Sequence, residues 1–258
     1  MREQLYEEIY RAELRHWWFR SRLRIIAALL RRFAPPVRPL WVADVGCGMG
    51  ASFGALAGFG RVVGVDNSFK ALEFSRSRGP HRLVAGALPE LPFSDGTFDV
   101  VCALDVIEHL DDDRGAVCDL WRACKPGGLL VVTVPACPWL WSEHDEINEH
   151  KRRYTRAALR QCLSQPDGEW LRLSYMNTLL APPVMVGRPL WRLFRKFRKR
   201  FGGPRSDIFN APALVNGLLA GLFGAEALWL PRHGLPFGVS LVAVLRKKQE
   251  TPAAVTRP

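Results

Sequence analysis

The stretch Val42-Ala43-Asp44-Val45-Gly46-Cys47-Gly48-Met49-Gly50 decides how this chain is read. It has the pattern of a buried strand breaking into a glycine-rich turn, with an acid two residues ahead of the first glycine. Glycine has no Cβ, so the backbone there can take a positive φ and a ligand can come close to it. A strand, such a turn and then a helix make one half of a nucleotide-binding α/β unit. Gly46, Gly48 and Ala51 also satisfy the relaxed dinucleotide spacing, so a dehydrogenase stays open at this point.

Working outward, Arg61 to Asn67 reads as a second apolar strand ending in an acid, Asp66, 22 residues after Asp44. An acid at that tip is placed to bind ribose hydroxyls. It equally suits the start of a helix near Ser68. His81 to Ala85 reads as a third strand, Phe98 to Ala103 as a fourth and Leu129 to Val134 as a fifth, the last preceded by Lys125-Pro126-Gly127-Gly128. Strands alternating with helical stretches indicate an α/β fold with a parallel, doubly wound sheet.

With these segments in order, residues 41–135 resemble a class I S-adenosylmethionine-dependent methyltransferase. The likeness is to the broad bacterial group (types 11 and 23) related to ubiquinone and menaquinone methyltransferases. The carrying motifs are D-V-G-C-G-M-G, V-D-N, L-P-F-S-D-G-T-F-D-V-V, D-V-I-E-H-L and K-P-G-G. A dehydrogenase has no need of the last three. The flanks extend the resemblance through His16-Trp17-Trp18-Phe19-Arg20, Trp139 to Asp145, His150 to Thr155 and Leu235 to Leu241.

The resemblance implies a Rossmann-like seven-stranded sheet with helices on both faces, six strands parallel and the last antiparallel. Glu169 to Asn177 resembles the sixth strand and Val239 to Arg246 the seventh. The chain then divides into an N-terminal helical cap (1–37), a cofactor-binding core (38–177 and 238–248) and a helical insertion or lid (178–237). The implied cofactor is S-adenosylmethionine. Gly46, Cys47, Gly48 and Gly50 would let its methionine end lie on the backbone, and Asp44 would fix the ammonium. Asp66 would hold the ribose. Leu88 would offer backbone contacts to adenine with Asn67 beside its edge, and Asp105 would lie near the methionine portion. The family often has Asp after the glycine at position 86; Ala87 stands here.

Asp105, Glu108 and His109 follow the fourth strand, at the edge where open α/β sheets bind ligands. His109 is a candidate base for an acceptor hydroxyl, since neutral imidazole suits that task near pH 7; Glu108-His109 equally suits the capping of the next helix. Some ubiquinone-biosynthesis O-methyltransferases hold a divalent cation in a similar acidic cluster, which Asp105, Glu108 and His109 partly match. No metal is nonetheless expected, and zinc is disfavoured by the lack of cysteine pairs. A second cluster, His144, Asp145 and His150, follows the fifth strand and makes His144 or His150 a candidate base, or else a loop that merely closes the pocket.

The net charge is +11. Seven Lys/Arg and no acid lie between Arg188 and Arg200. Written as a helix, Leu190, Trp191, Leu193, Phe194, Phe197 and Phe201 share one arc, and the basic residues, Arg198 excepted, share the opposite one. Such a basic amphipathic stretch (188–201) reads as a contact with an anionic membrane surface, or as a solvated helix over the site. Ile208 to Leu230 is apolar but carries Glu226, which suits a buried or interfacial helix better than a spanning one. The aromatic residues Trp17 and Trp18 suit either the roof of a greasy pocket or core packing. Six cysteines without a C-x-x-C pair suit a reducing compartment, and the charged start has no signal-peptide pattern. A cytoplasmic place, at the inner face of the membrane, is expected. The acceptor expected is a small molecule or a lipid-linked compound, methylated on oxygen. A nucleic-acid methyltransferase and a non-catalytic cofactor-binding module remain as alternatives; nucleic acid is disfavoured because the fourth strand ends without the D/N-P-P-Y/F motif.

Overall fold

A computed structural model describes residues 3–79, 81–165, 167–188 and 211–249. The helices are α1 (Glu3–Glu13), α2 (Trp17–Phe33), α3 (Phe53–Ala57), α4 (Phe69–Arg76), α5 (Asp113–Ala123), α6 (Glu143–Ile147), α7 (Arg156–Cys162), α8 (residues 181–188) and α9 (Ala213–Trp229). The strands are β1 (Leu40–Val45), β2 (Gly60–Asp66), β3 (Arg82–Ala85), β4 (Phe98–Leu104), β5 (Cys124–Pro135), β6 (Gly168–Met176) and β7 (Ser240–Lys247). They form one sheet in the order β3-β2-β1-β4-β5-β7-β6. β7 runs antiparallel to both β5 and β6, and the other pairs are parallel. The sheet is thus the expected one, six strands one way and the last inserted the other.

The apolar runs are continuous because both faces are covered. Successive residues of each strand serve opposite cores. Ala43, Val45, Val101 and Ala103 pack with Val117 and Leu120 of α5 and Leu159 of α7. Val42, Val100 and Cys102 pack with Ile25, Ile26 and Leu29 of α2 and Phe223 and Ala227 of α9. All six cysteines are free thiols.

One expectation needs correction. Lys125-Pro126-Gly127-Gly128 does not precede the fifth strand but bulges out within it: Phe98 faces Cys124, while Val100 already faces Leu129. Gly127 supplies the positive φ, +78°, that the bulge needs. The apolar stretch before β7 gives α9, which packs as a layer of the core beside α2. Ser21 Oγ of α2 donates to the Ala220 carbonyl of α9 at 3.0 Å, and the Trp17 ring meets Phe223 edge-on at 6.1 Å. Trp17 and Trp18 accordingly serve core packing. The amphipathic pattern of 189–201 lies outside the described residues, and Arg188 donates to the Leu140 carbonyl at 3.1 Å. Among the described residues no helix is long and apolar enough to cross a membrane.

Candidate active site

The glycine turn hangs from the end of β1 by two bonds to β2: the Gly46 and Cys47 amides donate to the Val65 carbonyl at 2.8 and 3.0 Å. Gly46, Gly48 and Gly50 all have positive φ, +69°, +52° and +78°. A Cβ on Gly46 would come within 2.5 Å of Val106 Cγ2, whereas one on Gly48 would meet nothing within 4 Å. The turn is therefore pressed against the end of β4 on one side and open above Gly48.

Asp66 bridges this turn to the next helix. Its Oδ2 accepts from Gly48 N at 2.8 Å and its Oδ1 from Ser68 N at 2.9 Å. Ser68 itself caps α4, accepting from Ala71 N at 3.2 Å. The acid is left half-buried, held in place by two backbone donors. Asp44 is buried beneath the turn and accepts from the Ser52 hydroxyl. Burial pushes its carboxyl up to about 6, opposed by Ser52 and Arg22. Cys47 is buried, Asn67 and Ala87 are exposed, and Leu88 is half-buried against the core.

The N-terminal helices close on this turn through cations. Arg78 Nε donates to the Met49 carbonyl at 2.8 Å, and its Nη2 reaches the Tyr10 carbonyl and the Glu13 carboxylate at 3.1 and 2.7 Å. Burial pushes Glu13 up to about 7, with Arg78 and Arg22 pulling the other way. Arg22 of α2 pairs with Asp105 and lies 4.5 Å from the centre of the Trp18 ring. Its Nε is buried with no hydrogen-bond partner among the described residues. Sequence reasoning missed Arg22, Glu13 and Arg78. Only Arg22 left a signal: it shares the buried face of α2 with Ile25, Ile26 and Leu29, where a cation needs a partner.

Beyond β4 the chain makes a helical turn, Ile107–His109, and beyond β5 it runs through α6. These two connections bring His109, His144 and His150 together. The rings of His109 and His150 lie 4.7 Å apart and those of His144 and His150 6.4 Å apart, edge to face in both cases. His150 Nδ1 lies 2.9 Å from Asp145 Oδ1. Asp145 is fully buried; burial raises its carboxyl, but bonds from His150, Arg153 and the Ser142 amide outweigh that and hold it well below the usual carboxylate range. An ionised carboxylate only accepts, so His150 Nδ1 is the donor in this bond and Nε2 is the ring nitrogen left to face the site. Burial, and then His150, push His109 below the usual imidazole value. Glu108-His109 does not cap α5; Asp112 does, accepting from Gly115 N at 2.8 Å.

The group that could hold a cation differs from the one the motif suggests. Glu108, His109 and His150 have ligand atoms within 4.8 Å of one another. Asp105 is engaged by Arg22 instead. Glu108 is fully buried, neither carboxylate oxygen has a hydrogen-bond partner among the described residues, and burial with the nearby Asp105 holds it protonated well above the usual range. Among the described residues, four other than glycine have positive φ: Asp105, Cys137, Glu149 and Asn177. They follow β4, β5 or β6 at this same edge, where strained backbone tends to mark functional sites.

Residues 43–132 match the family described as "Methyltransferase domain". Residues 43–132 carry a methyltransferase domain, set in a sheet of the class I methyltransferase order. A probable S-adenosylmethionine-dependent methyltransferase of Mycolicibacterium smegmatis is 34% identical over 122 residues, covering 46% of this chain and 46% of that protein. A demethylmenaquinone methyltransferase of Tropheryma whipplei is 38% identical over 98 residues, covering 35% of this chain and 40% of that protein. The matched part thus spans less than half of either relative. Among solved structures, a putative methyltransferase complex with the Haloferax volcanii Trm112 activator is similar over 97% of both chains, with TM-score 0.61 and 18% identity. The [4+2]-cyclase SpnF is similar over 89% of this chain and 81% of its own, with TM-score 0.55 and 20% identity. These two likenesses show the fold alone.

The cofactor of this methyltransferase domain is S-adenosylmethionine, and the residues present suit it. The turn offers a positive-φ cradle with open space over Gly48. Two acids flank it, and an unspent guanidinium donor lies nearby on Arg22 for the methionine carboxylate.

Proposed function

We propose that this protein transfers a methyl group from S-adenosylmethionine to an oxygen of a small or lipid-linked acceptor. The observation that carries the reading is a juxtaposition at the carboxyl ends of β1, β4 and β5. The glycine turn abuts Val106, and three residues on His109 meets His150, whose ring is held through Nδ1 by Asp145.

In this reading Gly46, Cys47, Gly48 and Gly50 carry the methionine end of the cofactor. Asp44 faces its ammonium, Arg22 turns from Asp105 to its carboxylate, and Asp66 takes the ribose hydroxyls. Leu88 and Asn67 border the adenine. The bound cofactor supplies a methyl group already activated by a sulfonium. What the chain must add is placement of the acceptor, which is able to supply about 7–11 kcal/mol of a barrier. His150 Nε2 would take the acceptor's hydroxyl proton as the oxygen–methyl bond forms and the methyl–sulfur bond breaks, S-adenosylhomocysteine being the leaving group. Asp145 stabilises the imidazolium that results, and His109, held neutral, relays or orients beside it. The relatives named for quinone methylation support an acceptor of small-molecule class, and the charge pattern of 188–201 supports one presented at a lipid surface.

The test is transfer of label from methyl-labelled S-adenosylmethionine to a lipid extract, an aqueous metabolite extract and total RNA. Label is expected in a product soluble in organic solvent. His150→Gln should lower kcat by about 100-fold, within the range of general-base contributions, and leave S-adenosylhomocysteine affinity unchanged. Label in RNA, or an unchanged kcat in the variant, contradicts the proposal.

A further inference from the structure

Surface helices turn polar residues to water and apolar ones to the core; α9 is apolar on both sides. Its only polar side chains are Asn216 and Glu226, and both are spent inward. Asn216 accepts from Trp17 N and donates to the Arg15 carbonyl, each at 2.8 Å. Glu226 is buried and accepts from the amides of Asn177, Thr178 and Leu179 at 2.7, 2.6 and 3.3 Å. The outward face is left to Leu214 (87% exposed), Val215 (42%), Leu218 (63%), Leu222 (39%), Leu228 (78%) and Trp229 (55%). At the helical period these six fall within an arc of about 140°. Isolated exposed apolar residues are ordinary; six on one face without a polar side chain among them mark an interaction surface.

We infer that this face docks on an anionic lipid surface. The argument for that occupant is charge. Exposed cations border this helix: Arg24 lies against Gly224, Arg15 gives its carbonyl to Asn216, and Arg232 follows the end of α9, while α9 itself has no charged side chain except the buried Glu226. An apolar stripe bordered by cations matches acyl chains beneath anionic headgroups, each basic residue near such a surface adding about 1 kcal/mol. The helix lies along the surface and does not cross it: its 17 residues span about 25 Å, short of the hydrocarbon thickness. α9 packs on α2, the helix that sends Arg22 to Asp105, so the docking surface is one helix away from the cofactor site. This deepens the reading of a lipid-presented acceptor and rests on it only for its purpose, because the test below needs neither acceptor nor methyl transfer.

The experiment is co-sedimentation of the full chain with vesicles of phosphatidylglycerol mixed with phosphatidylcholine, and with vesicles of phosphatidylcholine alone. Binding is expected to the anionic vesicles, at least tenfold weaker to the neutral ones, and reduced by salt. The double variant Leu218→Gln/Leu228→Gln should lose at least tenfold of vesicle affinity while keeping S-adenosylhomocysteine affinity and thermal stability, since both residues face solvent. Vesicle binding unchanged in that variant, or no binding to anionic vesicles, overturns the inference. So does a concentration-dependent dimer that the variant dissolves, which would assign the face to a second copy of the chain.

Discussion

Gly46 and Gly48 sit two residues apart, yet substitution should separate their roles. At Gly46 an alanine meets both a positive φ and Val106 Cγ2 at 2.5 Å. Gly46→Ala is expected to cost about 1–3 kcal/mol of stability and to weaken S-adenosylhomocysteine binding with it. At Gly48 the Cβ would enter open space, so Gly48→Ala should spare more of the stability while still weakening binding. Denaturant unfolding and calorimetry on the pair check this; equal stability losses would contradict it. Asp44 gives a pH signature. Its folded value, about 6, lies above the ordinary 3.8, so the folded protein binds that proton more readily than the unfolded chain. Its contribution is therefore fully present below about pH 4 and lost as pH rises through 6, by at most about 3 kcal/mol. The difference in unfolding free energy between wild type and Asp44→Asn should follow that slope. Ligand affinity should run the other way, falling as pH drops below about 6 because a protonated Asp44 no longer attracts the ammonium; Asp44→Asn should lack this limb. The acids of the turn were legible in the sequence because strand, turn and acid occur at fixed spacing. Arg22, Glu13 and Arg78 were not, because pairing across elements 65 or more residues apart leaves no local pattern.

Elements reveal themselves in sequence to the degree that their pattern is local. The strands do so through continuous apolar runs, and β7 through its likeness to a known last strand. The bulge in β5 did not: Lys-Pro-Gly-Gly reads as a turn, and only pairing with β4 shows that the ladder begins before it. The histidines were visible as candidates, but not their meeting, which depends on two connections lying side by side beyond adjacent strands. α9 was visible as an apolar helix; its place in the core layer was not, because apolar residues surround it and periodicity gives no inward face. Two inward polar residues supply that orientation. Glu226 takes three backbone amides at the end of β6, and burial raises its carboxyl while those amides lower it. Removing it leaves buried donors without a partner, each costing about 1–3 kcal/mol, so Glu226→Ala should destabilise the fold by about 3 kcal/mol or more. A loss under about 1 kcal/mol in chemical denaturation would show that water replaces it freely.

At the scale of the whole molecule, the sheet places the turn after β1, the acid at the end of β2 and the polar clusters after β4 and β5 at one carboxyl edge, and α1 and α2 are tied to that edge by Arg78 and Arg22. The central claim is that this edge binds S-adenosylmethionine through the glycine turn and Asp66. Calorimetric titration of the purified chain with S-adenosylhomocysteine, beside Asp66→Ala checked for folding by circular dichroism, tests it most directly. The account predicts micromolar binding in the wild type and a loss of about 100-fold or more in the variant, about 2.7 kcal/mol. Absence of binding to the folded wild type, or equal affinity in the two proteins, would contradict it.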